Sequence, residues 1–320
     1  MSEKKTRRVF LKMGAATLVA ATAKTTIAQS RSAGSRNNAA QTHEYDFTTS
    51  AFEGSPDGRA KELWGYNKQF PGPEIRVKEG DTIRVRVNNQ MAESTSIHWH
   101  GMKQRGTWQM DGVTPISRPP IEPGESFVYE FKAEPAGTHW YHSHTGVQYS
   151  DGLYGPLVVE AQSDNYEYDR DQVLMIGDWF VEPSAIVYEK IQNGTYRAAE
   201  PVGDGTPKPD YGDVPFESFL FNGKGVLPND LNGDMNVFKV KKGETIRFRI
   251  INSSSTYTFK LQFDRHQMKV IETDGQAVAP VITDCMTIDI GERVDVLVTA
   301  NHSGSHYIRA ATMDGKMGMA

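Results

Sequence analysis

The stretch IRVKEGDTIRVRVNN, residues 75–89, alternates apolar and polar side chains on both sides of a Gly-Asp-Thr turn. Successive side chains of a β-strand point to opposite faces of a sheet, so this alternation predicts two strands, each with one buried face. The segment GESFVYEF, residues 124–131, has the same pattern. Helical periodicity is nearly absent beyond the first 28 residues. We therefore predict an all-β protein.

The same unit occurs a second time along the chain. FKVKKGETIRFRIIN, residues 238–252, aligns without gaps to residues 75–89, and its turn is again Gly-acid-Thr. A later match pairs AGTHWYHSH, residues 136–144, with SGSHYIRAA, residues 303–311. Repetition of short alternating strands separated by turn residues is typical of Greek-key β-sandwiches. We predict two such sandwiches in tandem, residues 44–162 and 170–320.

The N-terminus has the pattern of an export signal. KKTRRVFLKMGAATLVAATA, residues 4–23, places the arginine pair Arg7 and Arg8 before an apolar run that is too short to span a bilayer. This order predicts a twin-arginine signal peptide over residues 1–28. The protein would then act in the periplasm or outside the cell.

Charge and cysteine content exclude several classes of function. The 320-residue chain has a formal net charge of −5, which becomes more negative without its basic N-terminus. An acidic protein is poorly suited to bind nucleic acid or an anionic membrane, and no segment has the length of a membrane span. Cys285 is the only cysteine, so an intrachain disulfide is excluded.

Five of the nine histidines lie in two short stretches, HWHG at residues 98–101 and HWYHSH at residues 139–144. Residues i and i+2 of a strand point to the same face, so each His-x-His pair presents two imidazoles side by side. Imidazole is a ligand for copper, zinc, iron and nickel. The pattern therefore predicts a transition-metal site formed by His98, His100, His142 and His144.

The second copy of the repeat separates these four histidines from the fifth. His139 aligns with His306, which predicts a structural role for it in both copies. The four predicted ligands have no histidine counterpart in the alignment. Their positions are held by Leu261, Phe263, Arg309 and Ala311.

The motifs HWHG and WYHSH resemble the first-domain motifs of the multicopper oxidases, the laccase-like family. Residues 106–131 between the motifs resemble the connecting segment of that family, and DGLYGPLVVE, residues 151–160, resembles its closing strand. FLFNGKG and IDIGERVDVLV extend the resemblance into the second domain. The resemblance implies cupredoxin-like sandwiches and a copper cofactor. It also implies a reaction that couples one-electron oxidation of a phenol-like substrate or metal ion to reduction of O2 to water.

Residue by residue, the resemblance assigns the four histidines to a trinuclear copper cluster. His98 would bind the type 2 copper, His100 and His142 would share one type 3 copper, and His144 would bind the other. Asp111 matches a carboxylate that orients water and relays protons near the cluster. The alternative for Asp111 is a simple turn residue before Gly112.

Other parts of such an enzyme are not found in this sequence. Type 1 copper requires a cysteine thiolate with two histidines, and Cys285 lies in ITDCMTID, on an expected ordinary strand without a neighbouring histidine. The His-x-x-His-x-His and His-Cys-His motifs of the third domain do not occur. The chain would thus supply half of the cluster and be inactive alone, the rest coming from a third domain or another subunit. The alternative is a non-catalytic periplasmic copper-binding protein.

The repeat also gives an expectation for the C-terminal end. When Gly137 is aligned with Gly304, the counterpart of Tyr154 falls at position 321, one beyond the last residue. We therefore expect the second sandwich to lack its closing strand and to be marginally stable.

Overall fold

β-Strands form nearly all of the regular structure in residues 40–195, 214, 216–225, 235–313 and 318–319, which the computed structural model describes. The predicted signal peptide, residues 1–28, lies outside these residues. One α-helix, α1 (Ser184–Gln192), follows Pro183 and was not expected from the strand-rich pattern. The prediction of an all-β protein is confirmed.

The first sandwich has two four-stranded sheets, with strand orders β2-β1-β4-β6 and β3-β8-β7-β5. The predicted alternation holds in β4, where Ile83, Val85 and Val87 are fully buried between the sheets. Its eight strands are β1 (Thr42–Gly54), β2 (Lys61–Tyr66), β3 (Ile75–Lys78), β4 (Thr82–Asn89), β5 (His98–His100), β6 (Ser126–Lys132), β7 (Gly137–His142) and β8 (Tyr154–Glu160).

The second sandwich has a six-stranded sheet, β10-β9-β11-β16-β13-β14, and a four-stranded sheet, β15-β12-β17-β18. A separate core lies between them, around Ile250, Phe259 and Leu261. The strands are β9 (Arg170–Trp179), β10 (Ser218–Phe221), β11 (Thr245–Asn252), β12 (Phe259–Phe263), β13 (Met268–Thr273), β14 (Gln276–Thr283), β15 (Met286–Ile288), β16 (Arg293–Thr299), β17 (Ile308–Thr312) and β18 (Gly318–Met319).

The sheet topology reproduces the sequence repeat, with one difference. β1 and β4 are parallel neighbours in the first sandwich, as β9 and β11 are in the second. Residues 75–78 form strand β3, whereas the matching residues 238–241 lie outside the strands. β3 pairs with β8 over Leu157–Glu160, and the described counterpart of β8, β18, pairs only with β17 through two residues. Residues 238–241 therefore have no described strand to pair with.

The strand register corrects the alignment of the last repeat element by one residue. His98 pairs with His142 in the first sandwich, and Leu261 pairs with Ala310 in the second. The counterpart of His142 is therefore Ala310 rather than Arg309. Likewise His306 matches Thr138 rather than His139, and it lies in the loop before β17.

The counterpart of Tyr154 also differs from the expectation. Tyr154 pairs with His142, and Met319 pairs with Ala310, the residue that matches His142. Met319 therefore takes the place that the sequence alignment gave to position 321. The reason is that the connection between β17 and β18 is shorter than that between β7 and β8.

β7 forms one of the contacts between the two sandwiches. The buried Thr138 donates a hydrogen bond to Asp295 Oδ1 at 2.6 Å, and Arg249 Nη1 donates to Thr138 Oγ1 at 3.2 Å. Trp140, from the same face of β7, packs with Met175 and Ile251 of the second sandwich. Buried charges with hydrogen-bonded partners and an apolar patch thus join the strand that carries His142 to the neighbouring sandwich.

Among the described residues, no helix has the length and apolar character needed to cross a membrane.

Candidate metal centre

The four predicted ligands lie on two paired strands and the residues that follow them. β5 and β7 run antiparallel, with His98 opposite His142 and His100 opposite Trp140. His144 follows two residues after the last residue of β7. Because side chains alternate along a strand, all four imidazoles lie on one side of this sheet edge.

The ring separations show that the histidines form a single cluster. The centroid of the His98 ring lies 5.6 Å from that of His100, 5.3 Å from His142 and 5.7 Å from His144. One ligand nitrogen each from His98, His100 and His142 can be chosen so that all three lie within 4.8 Å of one another. The sequence-predicted residues are therefore brought together.

Hydrogen bonds to backbone carbonyls orient two of the rings. His98 Nδ1 lies 2.8 Å from the carbonyl oxygen of Asp111, and His142 Nδ1 lies 2.8 Å from that of Ser143. A carbonyl oxygen only accepts, so each Nδ1 carries the proton and donates it. Nε2 of each ring is then the unprotonated nitrogen, which is the form that binds a metal.

Burial keeps these imidazoles neutral. It lowers the pKa of His98 below its ordinary value of 6.5, and it lowers the pKa of His142 to about 3. The pKa of His100 falls to about 2, first through burial and second through the positive charge of Arg293. Metal binding requires the neutral imidazole, so these rings do not first have to lose a proton at neutral pH.

Aromatic residues hold the ligand strands in place from both sides. Trp99 and Tyr141, which alternate with the ligands, are fully buried in the core of the first sandwich. Trp140 lies on the ligand side, with its ring centroid 5.0 Å from that of His100 and 4.4 Å from that of His142. Both tryptophans therefore pack, and Trp140 also contacts two of the predicted ligands.

Asp111 follows a 3₁₀ turn (Trp108–Met110) and lies beside His98. Its carbonyl accepts the His98 hydrogen bond, and its carboxylate oxygen Oδ1 lies 3.5 Å from His98 Nδ1. Gly112 has a φ of 81°, and a Cβ there would lie 1.6 Å from the carbonyl oxygen of Ile97. Glycine at 112 thus allows the chain to bring Asp111 against the ligand strand.

His139 has a different environment from the four ligands. It is fully buried, and its Nε2 lies 2.9 Å from the carbonyl oxygen of Pro135. Burial lowers its pKa to about 4, with a further contribution from Arg293. A Cβ on Gly101, the glycine of HWHG, would lie 2.5 Å from His139 Nδ1, so the two residues pack closely.

Cys285 differs in position from its expectation on a strand. It is exposed and lies in the link between β14 and β15. Within the described part of the chain, no group of three closely spaced candidate ligands includes it.

Two residues near the cluster were missed by sequence reasoning. Arg293, at the start of β16, donates from Nε to the carbonyl oxygen of Thr138 and lowers the pKa of His100. The ring of Tyr149 lies 5.5 Å from that of His142. Arg293 is distant in sequence, and a single tyrosine in a loop has no distinctive pattern, so no local signal identified either residue.

The comparisons with known proteins identify the family of this chain. Two family profiles, each described as multicopper oxidase, match residues 48–164 and 170–319. The two matches together span most of the sequence, and this chain belongs to the multicopper oxidase family. Copper is the metal that the family implies, and four clustered imidazoles, two of them oriented by backbone hydrogen bonds, are a donor set that fits it.

Curated relatives include fungal oxidoreductases and laccases. The chain is 36% identical over 276 residues to oxidoreductase GME11365 of Pestalotiopsis microspora, a match that covers 82% of this chain and 42% of the relative. It is 35% identical over 285 residues to laccase-1 of Trametes villosa, covering 85% of this chain and 51% of the relative. The chain thus spans about half the length of these relatives.

Solved structures show the same fold. Fet3p, a multicopper oxidase that functions in iron import, matches with a TM-score of 0.73 and 29% identity, covering 86% of this chain and 49% of that one. The blue copper oxidase from Nitrosomonas europaea matches with a TM-score of 0.68 and 33% identity, covering 85% of this chain and 80% of that one.

Proposed function

We propose that this chain provides half of the trinuclear copper centre of a multicopper oxidase. The oxidase would remove electrons one at a time from a small reducing substrate and use four of them to reduce O2 to water. The observation that carries the proposal is the convergence of four imidazoles from β5, β7 and the residue pair that follows β7.

The family resemblance supplies the individual roles of the ligands. His98 would bind the type 2 copper, His100 and His142 would share one type 3 copper, and His144 would bind the other. Bound copper would supply the one-electron redox chemistry that protein side chains lack. The protein would keep His98, His100 and His142 neutral by burial and orient His98 and His142 through their Nδ1 hydrogen bonds.

Asp111 would act on protons at this centre. Its carboxylate is about one-third exposed and lies 3.5 Å from Nδ1 of His98, so it borders both a ligand and solvent. A carboxylate in this place can accept a proton from water and return it. We propose that Asp111 orients water and relays protons during O2 reduction.

Electrons would enter at a site that lies outside the four histidines and Asp111. A type 1 copper needs a cysteine thiolate and two histidines, and the exposed Cys285 has no such neighbours among the described residues. We propose that a third domain or a neighbouring subunit supplies the type 1 site and the remaining cluster histidines.

Copper loading and oxygen consumption test this function together. The chain alone should bind Cu(II) without the blue absorption of type 1 copper and should not oxidise a phenol. Co-expression with a polypeptide that carries the His-x-x-His-x-His and His-Cys-His motifs should produce both the blue absorption and the oxidation of a phenol. Blue absorption from the chain alone would show that Cys285 was misassigned. Copper binding that never leads to oxygen consumption with such partners would favour the copper-binding alternative.

We also propose twin-arginine export to the periplasm or beyond, from residues 1–28. Replacing Arg7 and Arg8 by lysine should retain the precursor in the cytoplasm, as measured by cell fractionation. A periplasmic level equal to that of the unsubstituted chain would contradict the assignment.

A further inference from the structure

Three other histidines meet on the second sandwich. His266 lies in the turn between β12 and β13, and His302 and His306 lie in the loop between β16 and β17. The ring centroid of His266 is 5.3 Å from that of His302 and 5.1 Å from that of His306, and the last two are 6.1 Å apart. These separations are close to the 5.3–6.1 Å found among the four histidines of the first sandwich.

The hydrogen bonds of His266 leave one nitrogen suited to bind a metal. Nδ1 lies 2.7 Å from the carbonyl oxygen of Asp264, so Nδ1 carries the proton and donates it. Nε2 is then unprotonated, and it is buried without a hydrogen-bond partner among the described residues. A buried nitrogen with a lone pair and no donor is costly unless it has a ligand or a water to bind.

His306 is oriented in a similar way. Its Nε2 lies 3.2 Å from the carbonyl oxygen of Ser303 and donates to it, which leaves Nδ1 unprotonated. His302 is exposed, and its pKa is lowered by partial desolvation and by the positive charges of Arg265 and other nearby groups. Metals bind the neutral imidazole, and in that form the free nitrogens are Nε2 of His266 and Nδ1 of His306.

Asp264, a carboxylate that borders the same cavity, is already paired with an arginine. Asp264 accepts two hydrogen bonds from Arg309, from Nε at 2.8 Å and from Nη2 at 2.9 Å. The candidate ligands are therefore the three imidazoles. They border a cavity of about 600 Å³ in which water can complete the coordination of an ion.

We propose that His266, His302 and His306 form a second transition-metal site, separate from the oxidase centre, that binds one Cu(II) ion. With a metal–nitrogen distance of about 2.0–2.1 Å, three imidazoles around one ion have ring centroids roughly 5 Å apart. The three nitrogens do not all lie within 4.8 Å of one another, unlike those of His98, His100 and His142. Rotation of the exposed His302 side chain would bring its ring nitrogen closer to those of His266 and His306. Cu(II) should bind more tightly than Ni(II) or Zn(II).

Copper titration of the full chain tests this site in a background that lacks the first one. A chain with His100→Ala and His144→Ala should retain one equivalent of Cu(II), with nitrogen hyperfine structure in its electron paramagnetic resonance spectrum. Adding His302→Ala and His306→Ala should remove that equivalent. Ser305→Ala, in the same exposed loop, should retain it. Circular dichroism should show the same strand content in all of these variants.

A second measurement does not depend on the folding of any variant. In the unsubstituted chain, Cu(II) should broaden the imidazole NMR signals of His266, His302 and His306 as well as those of the first cluster. Broadening confined to His98, His100, His142 and His144 would overturn the proposal. So would a copper stoichiometry that is unchanged by loss of His302 and His306.

Discussion

His98 and His142 lie directly opposite each other on β5 and β7, with ring centroids 5.3 Å apart, and each donates its Nδ1 proton to a backbone carbonyl oxygen. Their orientation is therefore set by strand pairing and by main-chain hydrogen bonds. A site that is formed before its ligand binds loses little conformational entropy on binding. The copper centre should thus be largely preformed in the metal-free protein.

Loss of His100 and His144 should abolish copper binding at the four-histidine cluster of the first sandwich. The experiment is cleanest in a chain that already carries His302→Ala and His306→Ala, because the proposed second site then does not contribute. In that background His100→Ala with His144→Ala removes two of four imidazoles, and isothermal titration calorimetry with Cu(II) should show no saturable binding.

The matched control is His43→Ala, which removes an imidazole from the first sandwich outside the cluster. His43 Nε2 lies 2.7 Å from Asp81 Oδ2, and such a partly exposed contact contributes at most about 1 kcal/mol. Copper stoichiometry should be unchanged by this substitution. An equal loss of copper in both variants would show that binding depends on the number of histidines rather than on this cluster.

Gly112→Ala should weaken copper binding without a change at any ligand. The new Cβ would lie 1.6 Å from the carbonyl oxygen of Ile97, so the loop must move and carry Asp111 away from His98. Loss of such a supporting hydrogen bond typically reduces metal affinity about 10- to 100-fold. Calorimetry on the variant measures the change.

Gly106→Ala provides the control for this substitution. Gly106 also has a positive φ, 74°, but a Cβ there would meet nothing within 4 Å. It therefore has the same kind of backbone strain without the collision. Copper affinity should stay near that of the unsubstituted chain, and an equal loss in the two variants would attribute the effect to strain alone.

Thr138→Val should destabilise the whole described unit. The buried hydroxyl donates to Asp295 and accepts from Arg249 across the contact between the sandwiches. Valine at this position removes one hydrogen bond from each of these charged groups. The expected loss in the free energy of unfolding is about 1–3 kcal/mol, measured by denaturant titration. The exposed Thr42→Val should change it little, and equal values for the two variants would contradict the role of this contact.

Stability should also depend on pH through Asp178. Burial raises the pKa of this carboxyl to about 7 from 3.8, although Ser255 and Thr256 donate hydrogen bonds to it. Between these two values the folded protein binds more protons than the unfolded chain, so this group lowers the free energy of unfolding as pH rises. Asp178→Asn should remove that contribution.

The measurement is the difference in unfolding free energy between the Asp178→Asn variant and the unsubstituted chain, from about pH 5 to pH 8. This difference should grow in favour of the variant as pH rises, whatever the other groups contribute. The exposed Asp46→Asn controls for the loss of one negative charge. A flat difference for Asp178→Asn would contradict the raised pKa.

The sequence predicted the fold and the four-histidine cluster because both depend on local periodicity. Alternation along residues 75–89 predicts two strands, and His-x-His spacing on a strand places both imidazoles on one face. Side-chain periods of this kind follow from backbone geometry alone.

The sequence alone did not predict the strand register or the contacts between residues that are distant in sequence. The alignment of the last repeat was wrong by one residue, because hydrogen-bond pairing of Leu261 with Ala310 sets the register there. His266 and His306 are 40 positions apart, and their proximity arises only when two loops meet at one end of the second sandwich. Arg293 likewise approaches His100 through tertiary packing.

Trp140 has a consequence for attempts to build new oxidases by exchanging domains. One part of its ring lies against His100 and His142, and another packs on Met175 and Ile251 of the second sandwich. A first sandwich joined to a foreign second one would keep every ligand but lose the surface that supports two of them. Chimeras should therefore retain Met175 and Ile251 together with the histidines, because these two apolar side chains support Trp140 at the proposed copper centre.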